Sequence, residues 1–145
     1  MDGTTIHGVP RQHLAERLRG CGIQPTQQRL RIAAILLATP QHITAEQIQA
    51  RLAALGTRVS KATVYNTLKV FADNGLIGRL CVDGTRTYFD SNTQSHYHFH
   101  DPATARLIDF PLEAIEFSRL PPLPDGTEIA GIDVVIRLRR PRENP

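Results

Sequence analysis

The chain has 145 residues, 41% of them hydrophobic and 21% charged, with 17 Lys+Arg against 14 Asp+Glu. That length suits one globular unit or two small ones, and no apolar run approaches the ~20 residues that cross a bilayer. The start from Met1 to Thr5 lacks the basic-then-apolar order of a secretory leader, and Cys21 and Cys81 form neither a disulfide framework nor a Cys-x-x-Cys pair, so a cytoplasmic, membrane-free protein is expected.

In chain order, the first ten residues are small, polar and Gly-rich and read as a loose tail. His13 to Arg19 predicts a short helix with Leu14 and Leu18 on one face, ended by Gly20 and Gly22. Pro25-Thr26 opens a second helix, capped by Thr26, with Leu30, Ala33, Ala34 and Leu37 as its buried stripe and Pro40 as its stop. A third helix carries the clearest start signal: Thr44 as N-cap, Gln47 as its capping-box partner, and Ile43 with Ile48 at staple positions. Its apolar face runs through Ile48, Leu52 and Leu55. Ser60 caps a fourth helix that buries Val64, Leu68 and Phe71 and closes at Asn74-Gly75. Asp83-Gly84 divides Ile77 to Asp90 into the two strands of a hairpin.

This order is that of a winged helix-turn-helix, so the predicted fold class is α+β: a winged helix over 1–90, then a small α/β dimerisation domain over 91–145. In the second part, Arg106 to Phe110 predicts a strand and Leu112 to Arg119 a short helix. Pro121, Pro122 and Pro124 predict a rigid turn, Ile129 to Leu138 a long strand, and Arg139 onward a frayed basic tail. About 50 residues bury little surface alone, and pairing with a second copy across a strand edge answers that.

The charge balance separates the two parts. Residues 1–90 hold 11 Lys+Arg and 6 Asp+Glu, and residues 91–145 hold 6 and 8. The basic front part is therefore the candidate for a polyanion. At ~100° per residue, Ala62, Tyr65, Asn66 and Lys69 fall opposite the buried stripe of the fourth helix, with Ser60, Lys61 and Thr63 near its start. Asn pairs with adenine, Tyr touches a thymine methyl or a phosphate, and Lys neutralises the backbone. Arg79 and Arg86 on the hairpin and Arg19 before the second helix suit flanking phosphates or a minor groove. The competing reading is a polar face that meets only water. No nucleophile elbow, phosphate loop or His-Glu-x-x-His is present, so no enzyme is expected.

His96, His98 and His100 alternate with Tyr97 and Phe99, which puts three imidazoles on one face of an extended segment. With Asp90 and Asp109 nearby as oxygen donors, the set suits Fe(II), Mn(II) or Zn(II). Haem binding and a merely solvated strand are the other readings.

Three stretches then become familiar together: Leu18-Arg-Gly-Cys-Gly-Ile-Gln-Pro-Thr-Gln-Gln-Arg, His42-Ile-Thr-Ala-Glu, and Ser60-Lys-Ala-Thr-Val-Tyr-Asn-Thr-Leu. With Asp83-Gly-Thr-Arg-Thr-Tyr-Phe-Asp90 and the histidine run, the chain resembles the ferric uptake regulator family over roughly residues 15–140. The ending Ile132-Asp-Val-Val-Ile-Arg-Leu-Arg139 and the His96 to Phe99 pattern are similar to its iron response regulator branch in alphaproteobacteria. The resemblance implies a cytoplasmic homodimer that binds AT-rich palindromic operators and controls iron homeostasis genes. It implies a regulatory metal site at His42, Asp90, His96, His98 and Asp109, holding one Fe(II), Mn(II) or Zn(II) per chain, with haem on His96, His98 and His100 as the branch's alternative. Peroxide sensing through bound Fe(II), or iron or haem binding without a DNA role, are the rival functions.

The departures are equally specific. Asp101 and Thr104 stand where the family's first structural-zinc cysteine pair falls, and the second pair is missing, so no structural zinc is expected. Of the family's further metal site only Glu116 remains, with Ser95 and Tyr97 at two of the other positions.

Overall fold

The structure, a computed structural model, describes residues 4–84 and 86–143, and the expectations that fall on residues 1–3, 85, 144 and 145 lie outside it. The chain divides into two compact units, residues 1–93 and 94–145, and is mixed α+β.

The first unit opens with a correction. In place of a loose tail, β1 (Thr5–Ile6) and β2 (Val9–Pro10) form an antiparallel hairpin around His7 and Gly8. Their φ angles of 49° and 81° make the turn whose twist suits a two-residue hairpin loop. Ile6 anchors it by joining the core, and the Arg11 amide donates to the Thr4 carbonyl at 2.7 Å. Helix α1 (Arg11–Gly20) is longer than expected and starts directly at the hairpin's end, and Gly22 with φ 73° turns the chain after it. Helix α2 (Gln27–Leu36) begins at Thr26, whose hydroxyl accepts from the Arg29 amide. It is buried on more than one stripe, with Leu30, Ile32, Ala33, Ala34, Ile35 and Leu36 all inside.

Helix α3 (Ala45–Ala54) has the full capping box: the Gln47 amide donates to Thr44 Oγ1 at 3.2 Å and the Thr44 amide to Gln47 Oε1 at 2.9 Å. Ile43 and Ile48 are both buried, as staple residues should be. Leu55, expected on the buried face, is instead 52% exposed, because the helix ends at Ala54 and Leu55 serves as its C-cap. Helix α4 (Lys61–Asp73) starts at Ser60, whose Oγ accepts from the Thr63 amide at 3.1 Å. Val64, Leu68 and Phe71 are fully buried, and Asn74 followed by Gly75 at φ 76° closes the helix.

Strands β4 (Gly78–Cys81) and β5 (Thr87–Asp90) form the wing hairpin. A third strand, β3 (His42–Ile43), pairs with β5 on its other side in the register His42↔Asp90 and Ile43↔Phe89. Phe89 and Ile43 are thereby drawn into the core that α1 to α4 close over.

The second unit is a three-stranded sheet in the order β7-β6-β8. Strand β6 (Tyr97–Asp101) pairs antiparallel with β7 (Arg106–Phe110) and parallel with β8 (Val135–Arg137). Three expectations are corrected here. The helix over Leu112 to Arg119 is a single 3-10 turn, Leu112–Ala114, without a side-chain cap, and Ile115 is already extended at φ −123° and ψ 130°. The strand expected over Ile129 to Leu138 keeps only Val135–Arg137, since the residues before it have no ladder partner among the described residues. The bend in the Pro-rich stretch sits at Pro124–Thr127, around Gly126 at φ 74°. Nor is the tail frayed at Arg140, whose guanidinium lies 2.7 Å from buried Asp101.

Candidate functional site

In the first unit the β3–β5 register brings one imidazole to one carboxylate. His42 and Asp90 are cross-strand partners, and His42 Nε2 stands 3.0 Å from Asp90 Oδ2. The other oxygen, Oδ1, accepts from the Asn92 amide at 2.9 Å, which fixes the carboxylate's orientation. Asp90 is 4% exposed, so this is a buried, aimed donor pair. Its neighbour Ser91 ties the same strand to the α2–β3 connection, accepting from the Gln41 amide at 2.9 Å.

The second unit has a cluster of its own on the β6–β7 ladder. Asp109 on β7 is the cross-strand partner of His98 on β6, and its Oδ1 faces two imidazoles, His96 Nε2 at 3.5 Å and His98 Nε2 at 3.4 Å. The two rings meet edge to face with centroids 4.5 Å apart, and His96 Nδ1 contacts the Gln94 carbonyl, which aims Nε2 at the carboxylate. Two donors held about 2.1 Å from a common ion at a tetrahedral angle stand about 3.4 Å apart, so these spacings match a shared cation. Neutral imidazole and carboxylate are borderline-to-hard donors suited to Zn(II), Fe(II) or Mn(II).

His100 shares the β6 face of His98 by alternation, and its register partners are Leu107 and Arg137 rather than an acid. It is 5% exposed, and its Nδ1 has no partner among the described residues. Glu116 is exposed. Asp101 is engaged by Arg140 and by the Ala103 amide, which donates to Oδ1 at 3.1 Å.

The residues proposed for nucleic acid lie on the first unit. Ala62, Tyr65, Asn66 and Lys69 are all exposed on α4, opposite its buried stripe. Tyr65 is braced from below by Phe89, ring edge to ring face at 6.1 Å, so the phenol stands up from the wing sheet. Ser60 and Thr63 are committed to the cap, their hydroxyls 2.8 Å apart. Lys61 Nζ lies 2.8 Å from Glu46 Oε1, and that bond holds the Glu46 carboxyl below its ordinary value. Both side chains are well exposed, so the pair adds little stability and yields readily to a stronger anion. Arg79 and Arg86 are exposed on the wing, and Arg19 is exposed at the end of α1.

Sequence reasoning missed β3, which is too short to show any periodicity, and with it the contact of His42 with Asp90. It also missed the Asp101–Arg140 pair, whose members are 39 residues apart.

The model of the ferric uptake regulator family matches residues 21–129, most of the chain, including both histidine–aspartate clusters. The chain belongs to that family. It is similar to the peroxide-responsive repressor PerR of Staphylococcus epidermidis, 36% identical over 93 residues that make 64% of this chain and 62% of that protein. It is similar also to PerR of Staphylococcus aureus strain Mu50, at 37% over 93 residues, 64% and 63% of the two chains. The match thus spans somewhat under two thirds of the length of these curated relatives. Among solved structures, the ferric uptake regulator from Pseudomonas aeruginosa with manganese aligns with a TM-score of 0.65 and 26% identity, covering 88% of this chain and 97% of that one. The Vibrio cholerae ferric uptake regulator aligns with a TM-score of 0.63 and 24% identity over 85% and 96%, which speaks for the fold.

Proposed function

We propose that this family member is a metal-responsive, homodimeric DNA-binding transcription regulator of iron homeostasis. One observation carries the reading. His42, aimed at Asp90, stands two residues before Thr44, the N-cap of α3, so a metal-ligand pair is built into the strand that feeds the helix-turn-helix. We infer that His42 and Asp90 act with His96, His98 and Asp109 as one ligand set, which makes metal occupancy a constraint on both units at once. Ligand binding shifts a conformational equilibrium only through such differential contacts. A divalent ion there would neutralise the buried Asp90 and the exposed Asp109 carboxylates and fix the ligand geometry. The residues of this chain orient the donors and present α4.

The DNA face comprises Tyr65, Asn66 and Lys69 with Lys61 on α4, flanked by Arg19, Arg79 and Arg86, and the operator is an AT-rich palindrome. The Asp83 to Asp90 run, the His96 to Phe99 pattern and the ending Ile132 to Arg139 support the iron response regulator branch. Haem is the alternative ligand in that branch.

The test is duplex binding by fluorescence anisotropy with Mn(II) or Fe(II) and after chelation. Metal removal is expected to change affinity by about 5- to 150-fold, the usual range of allosteric coupling, and the His96→Ala/His98→Ala variant is expected to stop responding. A variant that responds like the wild type overturns the switch. The relatives named as peroxide-responsive repressors support a second reading, peroxide sensing. A gain of one oxygen atom on His42 or His96 after peroxide treatment of the Fe(II) protein, seen by mass spectrometry, distinguishes it from plain iron sensing.

A further inference from the structure

Away from the imidazole–carboxylate clusters, the first unit has a crevice of about 190 Å³ where the first turns of α2 meet the turn between α3 and α4. Gln27, Gln28 and Arg31 line it from α2, Leu52 from α3, and Thr57 and Arg58 from the turn. Its charged lining is entirely positive. Among the described residues, neither the Arg31 nor the Arg58 guanidinium has a hydrogen bond or a carboxylate within ion-pair distance. Neighbouring cations are engaged: Arg11 donates to Gln27 Oε1 at 2.5 Å, Arg29 to the Gln24 carbonyl at 3.0 Å, and Arg51 to Gln41 Oε1 at 2.9 Å.

Two uncompensated guanidiniums on one small crevice repel each other until an anion sits between them. A guanidinium's planar fork of N–H donors matches an oxyanion in two-point contact. The amides of Gln27 and Gln28 and the Thr57 hydroxyl add neutral donors for the remaining oxygens. Leu52 is fully buried, so the base of the crevice is dry and strengthens those bonds. Arg58 stands two residues before Ser60, the N-cap of α4, so an anion held here lies beside the start of that helix.

We propose that the Arg31–Arg58 crevice seats one phosphate of the DNA backbone, a clamp that sets the register of α4 without reading sequence. This rests on the DNA-binding reading above. Duplex affinity is measured against salt for the wild type, Arg31→Ala/Arg58→Ala and Arg31→Lys/Arg58→Lys, on an AT-rich palindrome and on an unrelated duplex. Losing one phosphate contact is expected to flatten the slope of log affinity against log salt by about 0.9. The fold-loss should be the same on both duplexes, because phosphate carries no sequence, and the lysine variant should keep most of the slope.

An unchanged slope in an alanine variant shown to be folded by circular dichroism overturns the proposal, as does a loss confined to the palindrome. A wild type that binds neither duplex overturns the DNA reading itself, a failure distinct from an unchanged slope. Inorganic phosphate is titrated separately while the arginine Nε–H resonances are followed. Saturable shifts together with an unchanged DNA slope mark a free-anion site and overturn the backbone assignment.

Discussion

Asp101 is a carboxylate held 5% exposed on the second unit's sheet, and its partner reaches it from 39 residues away. The Arg140 guanidinium, first among several donors, holds its carboxyl below the ordinary value of 3.8, against the opposing push of burial. Because the folded group is the stronger acid, its stabilisation is fully present above 3.8 and is lost as pH falls through the depressed folded value. Thermal unfolding of the wild type and Asp101→Asn, compared across pH, should therefore show a constant gap from about pH 8 to about pH 5 that closes only in stronger acid. A gap that already shrinks near neutrality would mean that another group is titrating. The pair closes onto the same strand end where Leu138 donates to the His100 carbonyl at 2.8 Å, so it locks β8 beside β6 where no cysteine is available for a metal.

Among the elements, α3 is the most completely specified by its own residues. Its capping box satisfies amides at both Thr44 and Gln47, and the Ile43–Ile48 staple fixes the angle of entry. Thr44→Ala is expected to cost about 1 kcal/mol, read as a lower urea midpoint at an unchanged slope. A shallower slope would show instead that the native first unit had loosened. The four helices, the caps of α2, α3 and α4, and the wing hairpin were legible because they carry local signals: a capping residue, a 3.6-residue stripe, an Asp-Gly turn. Elements defined by distant partners were not. Strand β3 is two residues long and exists only because β5 lies beside it, and the β1–β2 turn puts His7 at φ 49°, a region few non-glycine residues occupy. The expected helix after Pro111 stops at one 3-10 turn because Ile115 is already extended. The five residues of the proposed metal site were each nameable from the family's pattern, but the pairing of His98 with Asp109 and of His42 with Asp90 belongs to strand register.

At the scale of the whole molecule, the second unit leaves Ile108, Phe117, Leu120, Leu123, Ile129, Ile132 and Ile136 exposed. Ile108, Phe99 and Ile136 are aligned across the three strands on one face, so these three form a continuous apolar strip. Patches of this kind on a small unit mark a protein partner, and the second copy in the proposed homodimer would cover this one. Ile108→Glu/Ile136→Glu should shift the sedimentation profile to monomer and lower duplex affinity, since a palindrome rewards two linked readers. A double variant that remains dimeric would place the interface elsewhere. The His42–Asp90 contact has a reach of its own at this scale, because every residue of α3, α4 and β4 lies in the loop between its ends. An ion gripping both side chains would act as a reversible cross-link, absent from the unfolded chain and therefore stabilising by an amount that rises with the logarithm of free metal above its dissociation constant. Starving the protein of metal would then shorten its survival against unfolding and proteolysis, so that abundance as well as affinity reports the supply.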